Sequence, residues 1–216
     1  MTQSVIIVGA GGHASVLADA LLSAGALLIG FTDANESRRG ATVCGVPVLG
    51  DDTILHDYDP QLVVLANGIG TTGSVRDALR REVQSRMTAA GWRFATVLHP
   101  SALVSRFATV ASGAQLFSNS VVQAGAAIGN AAIVNTAAVV EHDATIGDWT
   151  HVASGAVVCG SVTIGQRCFI GAGAVVRQGV RLADDTVVGA GAVVVQHATT
   201  GGTLVGVPAR PIRART

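Results

Sequence analysis

Two histidines nine residues apart, in "EHDATIGDWTH" (141–151), stand in a stretch otherwise made mostly of small and aliphatic residues. His142 has a carboxylate on each side, Glu141 and Asp143. An unperturbed imidazole titrates at about 6.5, so it can take a proton near neutral pH. A carboxylate bonded to its second nitrogen fixes the tautomer and raises the basicity of the first. Such a base serves any reaction in which an attacking nucleophile must lose a proton as its new bond forms. Strand alternation points both neighbours of His142 away from the ring, so either Glu141 or Asp143 could curl back to it. The two rings do not stack on one another and no third ligand stands near, so no metal site is expected. Cys159, beside Gly160, has no histidine placed to activate it, so no covalent intermediate on it is expected.

A second constellation lies at the N-terminus. "SVIIVGAGGHASVLADALLSAG" predicts a strand, a glycine turn and an amphipathic helix. Gly9, Gly11 and Gly12 allow close backbone approach where free N–H groups and the helix dipole favour phosphate. A dinucleotide fingerprint would put a glycine where Ala14 stands, which argues against NAD or FAD and for a single nucleoside diphosphate. Asp33, after the second predicted strand, and Asn35 are then placed near the ribose or base. With "QLVVLANGIG" (61–70) as a third strand, residues 72–90 as a helix and "RFATVLHP" as a short last strand, this part reads as a small Rossmann-like α/β unit with parallel strands.

The element that must carry the histidines is a repeat. Stepping by six from Val104 to Val194 samples 16 positions, every one Val, Ile or Leu. Two residues earlier stands a small side chain nearly every time, as at Ala108, Ala114, Ser120 and Ala126. A period of six fits a chain that turns a corner at every hexad, with one branched side chain per face pointing inward. Three such faces close one coil, and a little over five coils of parallel β-helix follow. Glycines just after the inward residue, as at Gly129, Gly147, Gly165 and Gly171, are expected at the tight corners. In this register His142 sits at an outward corner between Ala124 and Gly160, whose small side chains leave room for a ligand. His151, half a coil on, stacks with Ile133 and Phe169.

Of the 216 residues 13% are charged, with 14 basic and 14 acidic, so neither nucleic acid nor an anionic membrane is expected as partner. Cys44, Cys159 and Cys168 have no CxxC spacing and cannot all pair, which suits a reducing, cytoplasmic location. The start reads as strand and turn rather than a signal peptide, and no apolar span is long enough for membrane insertion. The change of character near "LHPSA" (98–102) sets expected boundaries: an α/β domain at 1–98, a β-helix at 99–198 and a tail at 199–216.

The hexads "AAIGNA", "ATIGDW", "VTIGQR" and "CFIGAG", with "GVPAR" at 206–210, resemble the hexapeptide-repeat acyltransferases. That resemblance implies a left-handed parallel β-helix. "GAGGHA" (9–14), an Asp after the second strand and fusion to such a helix together resemble the sialic acid O-acetyltransferase and nucleotide-amino-sugar N-acetyltransferase family. The resemblance implies acetyl-CoA as co-substrate and a homotrimer with active sites between subunits. It also implies a UDP- or GDP-linked 4-amino-6-deoxy sugar, with UDP favoured, held by the N-terminal domain near Gly11, Gly12, His13, Asp33 and Asn35. His142 then matches the general base and Asp143 its acidic partner. His151 matches a second histidine near the thioester, the Gly160 N–H a donor to the acetyl carbonyl, and Ala172 and Ala190 the corners along which pantetheine runs. Two alternatives are O-acetylation of sialic acid or another sugar, and a non-catalytic nucleotide-sugar-binding scaffold.

Overall fold

β-Branched runs form the strands of the N-terminal unit, and one glycine turn converts the first of them into a helix. "SVIIV" is β1 (Ser4–Val8) and leads through Gly9–Gly11 into α1 (Gly12–Ser23), which returns to β2 (Leu27–Thr32). The computed structural model describes residues 4–71 and 76–212. The chain divides into two compact units, Met1–Pro100 and Ser101–Thr216. In the first, β2 is followed by the short strands β3 (Thr42–Val43) and β4 (Val46–Gly50), a hairpin turned by Cys44 and Gly45 at φ 50° and 76°. Short 3₁₀ segments flank that hairpin at Glu36–Arg38 and Asp52–Asp57. Then come β5 (Val63–Asn67), α2 (Arg76–Ala89) and β6 (Val97–Leu98). The expected start of α2 at residue 72 lies outside the described residues.

The sheet order is β3-β4-β2-β1-β5. β1, β2, β4 and β5 run parallel, as expected, while β3 is antiparallel to β4 and makes the sheet mixed at one edge. Ile6, Val8, Leu65 and Val63 pack with Val83, Met87 and Trp92 into one core. Ala14, Leu17, Ala18 and Leu21 are the buried side of α1. Ala14 is fully buried, and a Cβ on Gly68 would stand 2.8 Å from its own. The close approach that the missing third glycine would serve is therefore made by Gly68, after β5.

In the second unit the hexads are two-residue strands that pair in parallel at a constant offset of 18, such as Val121 with Val139, Ala127 with Thr145 and His151 with Phe169. Three parallel sheets result, the arrangement of a hexapeptide-repeat left-handed β-helix. The inward aliphatics from Leu116 to Val194 are 3% exposed or less, while Val104 and Val110 pack against them part-buried. Each coil buries its inward residues only by stacking on the next, which is why the phase never slips. After the last hexad the segment expected as a tail adds a strand, Gly202–Val205, parallel to Thr186–Val188, and turns back as Arg210–Ile212.

The corners differ from expectation in where their strain sits. Left-handed backbone recurs once per hexad from Gly113 to Gly191, through Asn119, Gly125, Ala131, Ala137 and Asp143. These positions lie two residues beyond the glycines that sequence reasoning assigned to the turn. Gly129, Gly147, Gly165 and Gly171 instead make room for the neighbouring coil: a Cβ on Gly147 would collide with the Gly165 backbone, and one on Gly171 would come within 2.6 Å of the Ala190 nitrogen. Gly147→Ala should therefore cost about 1–3 kcal/mol through overpacking of rigid backbone, read as a lowered midpoint of thermal or urea unfolding.

Candidate active site

At the corner after Val139–Val140 the chain places three of the expected residues together. His142 and Asp143 are consecutive corner residues, with side chains 54% and 67% exposed. Asp143 is at φ 58°, and this left-handed turn swings its carboxylate back onto the ring, which plain alternation would not do. His142 Nδ1 lies 2.9 Å from Asp143 Oδ2. A carboxylate accepts, so Nδ1–H donates to it and Nε2 keeps the free lone pair. Asp143, and not Glu141, thus fixes the tautomer.

The coils on either side are cut away around this pair. A Cβ on Gly160 would stand 2.5 Å from His142 Nε2 and 2.7 Å from Cε1. One on Gly125 would collide with Asp143 Oδ1. Gly160 thereby lets the reactive nitrogen lie against the next coil, and Gly125 makes the space for the carboxylate. The inter-coil ladder uses the Ser161 N–H, which donates to the His142 carbonyl at 2.9 Å, and passes over the Gly160 N–H beside the ring. Sequence reasoning missed Gly125, although it lies one full coil before Asp143 and so in its stack. Cys159 is half-buried next to Gly160.

His151 lies apart from this group. It is in a strand of another face, 5% exposed, with its ring edge-on to Phe169 at 5.1 Å between centroids. Its Nε2 is 3.1 Å from Asn135 Nδ2, whose own oxygen accepts from the Thr136 N–H at 2.7 Å. Held that way, the Asn135 amide donates and Nε2 accepts, which puts the ring proton on Nδ1. Asn135 carries no register signal toward His151, because their separation of 16 falls short of a full coil.

Ala172 and Ala190 are exposed and stack on one edge of the helix, with the Gly191 N–H donating to the Ala172 carbonyl at 2.9 Å. A Cβ on the adjoining Gly173 or Gly191 would meet no atom within 4 Å. This edge of small residues is open to solvent. It lies two faces on from the His142 edge, two hexads beyond Gly160.

In the N-terminal unit the turn after β1 also leaves open space. Gly11 caps α1 with no side-chain hydrogen bond, and a Cβ on Gly11 or Gly12 would meet nothing within 4 Å. His13 stands in the first turn of α1, under the loop after β5, where a Cβ on Gly70 would be 3.0 Å from its own. Asp33 follows β2; its carboxylate accepts from the Asn35 N–H at 2.9 Å and from Arg38 at 3.2 Å. Asn35 spends its carboxamide oxygen capping the Glu36–Arg38 turn, on the Ser37 N–H at 3.1 Å and hydroxyl at 2.8 Å. Its NH₂ is what remains to face a ligand. Among the described residues, no group of three or more His, Cys, Asp or Glu could hold a metal ion, and no helix is long and apolar enough to cross a membrane.

Known proteins share this fold. Residues 4–86 match the PglD N-terminal domain and residues 161–196 the hexapeptide repeat of succinyl-transferase. A comparison with curated proteins returned no match. Among solved structures, the acetyltransferase domain of PglB from Neisseria gonorrhoeae FA1090, in complex with acetyl coenzyme A, is 32% identical over 98% of this chain and 100% of that one, with a TM-score of 0.89. Perosamine N-acetyltransferase from Caulobacter crescentus, a histidine variant in complex with CoA and GDP-perosamine, is 33% identical over 99% of both chains, with a TM-score of 0.89. WeeI from Acinetobacter baumannii AYE, at 22% identity and a TM-score of 0.78, shares the fold. The chain belongs to the hexapeptide-repeat acetyltransferases, homologous to the PglD- and PerB-type nucleotide-amino-sugar N-acetyltransferases. It is an acetyl-CoA-dependent acetyltransferase, which removes the non-catalytic scaffold from consideration.

Proposed function

We propose that the enzyme acetylates the 4-amino group of a nucleoside-diphosphate-linked 4-amino-6-deoxy sugar, with His142 as general base. The observation that carries this reading is the His142–Asp143 pair, whose bonded Nδ1 leaves Nε2 as a proton acceptor at an open corner. The sugar amine attacks the acetyl carbonyl carbon while its proton passes to Nε2. As the tetrahedral intermediate collapses the C–S bond breaks, and the sulfur leaves with the proton returned by the imidazolium. Asp143 stabilises that imidazolium through Nδ1–H. The Gly160 N–H, unused by the ladder, donates to the oxygen that becomes negative in the intermediate. Asp143→Asn, which can no longer balance the charged ring, should lower kcat by roughly ten- to a hundredfold with little change in KM.

The remaining assignments follow from the same reading. Gly11, Gly12 and His13 hold the diphosphate, Asp33 the ribose, and Asn35 the ribose or base. The open edge at Ala172 and Ala190 takes the pantetheine arm, and His151 orients the thioester end. Since that edge and the His142 edge are different edges of one β-helix, a thioester reaching both is best held between two copies of the chain. This supports a homotrimer with active sites at its interfaces, in the cytoplasm where acetyl-CoA is made. The 99–198 repeat is then the catalytic domain and 1–98 the nucleotide-sugar domain.

The test is thiol release from acetyl-CoA, followed with nucleotide-linked 4-amino sugars and with free sialic acid. Turnover with an amine acceptor, giving an N-acetyl product by mass spectrometry, is the expected result. Turnover of sialic acid alone would move the assignment to O-acetylation.

A further inference from the structure

The N-terminal unit carries a cleft that the expected site residues do not account for. It has a volume of about 300 Å³ and is lined by Glu36, Arg39, Leu49, Gly50, Asp51 and Ile54. That volume is at the lower end of the range for small-ligand pockets. The cleft opens where β4 ends, next to Asp33, whose N–H donates to the Gly50 carbonyl at 2.8 Å. Open α/β sheets bind ligands at these carboxyl ends.

Strand order gives the cleft its meaning. The glycine turn follows β1, Asp33 follows β2, and the cleft follows β4, and these three strands are successive neighbours in the sheet. Diphosphate, ribose and base come in that same order along a nucleoside diphosphate. Two strand spacings, about 10 Å, separate the first position from the last. A nucleoside diphosphate lying along these strand ends would bring its base to the cleft.

The chemistry of the lining chooses among bases. Arg39 lies along the strand end, its Nε 3.9 Å from where a Cβ of Gly50 would stand. Asp51 has one carboxylate oxygen tied to Thr53, by the hydroxyl and by the N–H at 3.0 Å. Those bonds, side chain first, hold its carboxyl below the ordinary range, and Arg39 adds to the effect, so Asp51 stays an anion that caps the next turn. Glu36 and Arg39 are left as the charged groups that face the cleft without a capping duty. A guanidinium pairs bidentately with adjacent acceptors such as guanine O6 and N7. A carboxylate suits the adjacent donors N1–H and the exocyclic amine of the same base. Uracil offers one N–H between two carbonyl oxygens, both of which repel a carboxylate, and adenine offers no N1–H.

We propose, resting on the reading of this unit as the nucleotide-sugar site, that the cleft takes guanine, with Glu36 accepting from N1–H and the exocyclic amine and Arg39 donating to O6 and N7. The enzyme then selects GDP-linked over UDP-linked sugars, the less favoured of the two nucleotides that family resemblance left open.

Calorimetric titration of the full chain with GDP, UDP and dTDP tests this without reference to turnover. GDP should bind at least about tenfold more tightly than UDP, and Glu36→Gln should remove about tenfold of GDP affinity while UDP binding is not weakened. Arg39→Gln should act in the same direction, and circular dichroism of each variant confirms that it is folded. UDP binding as tightly as GDP, or a Glu36→Gln variant that weakens both equally, overturns the base assignment and leaves the nucleotide site standing. Binding of acetyl-CoA with no binding of any nucleotide overturns both.

Discussion

His142→Ala should lower kcat for N-acetylation by about 10²–10⁴-fold, the range for loss of a positioned general base, with the nucleotide sugar still bound. The ring is exposed at a corner and buries nothing in the core, so thermal stability should stay close to that of the parent. The loss should shrink as pH rises, because solvent hydroxide can then take the proton that Nε2 takes in the parent. Initial rates with saturating acetyl-CoA, from neutral to alkaline pH, check both statements. A variant that retains most of its kcat would remove His142 from the chemistry.

Gly160→Ala should do nearly as much damage without touching the ring itself. The added methyl would stand 2.5 Å from Nε2, so one of the two must move. Gly160 is not among the left-handed corner positions, so its backbone accepts alanine, and the half-exposed imidazole is the part free to swing. A displacement of about 1 Å is enough to cost on the order of 10²-fold in kcat. The Tm should hold, in contrast to Gly147→Ala, where the obstructing atoms are backbone of the next coil. The double variant with His142→Ala should be little slower than His142→Ala alone, because both act on the same group. A double variant slower by a further large factor would assign Gly160 a role independent of the ring.

Much of this fold is legible because its period is. The aliphatic positions in phase from Val104 to Val194 fix the coil, its register on the next coil and therefore the stacking of Gly160 on His142. The glycine turn and α1 are legible for the same reason, a strand pattern giving way abruptly to a helical one. What escapes is decided by backbone that period cannot see. Alternation could not tell Glu141 from Asp143, since the choice is made by a left-handed corner at Asp143. The glycines after each inward residue were assigned to φ when their task is clearance between coils. The β3–β4 hairpin escaped because Thr42–Val43 is too short to show alternation. With it escaped the whole cleft, whose lining comes from the turns on either side. The burial of His151 also went unread, because its partner Asn135 is out of register with it.

The constant offset between paired strands makes the second unit a ruler. Each corner residue recurs one strand spacing higher, about 4.8 Å, so the distance from the Gly160 N–H to any stacked position further along is a whole number of coils. Length in this direction is quantised. Adding or removing one whole coil beyond Gly160 extends or shortens the open edge by one mark and leaves the chemistry untouched, while any change that is not a whole number of coils would rotate every later side chain off its face. Lineages built this way can vary the reach offered to a thioester in discrete steps and still keep one proton acceptor, set once, at the same corner.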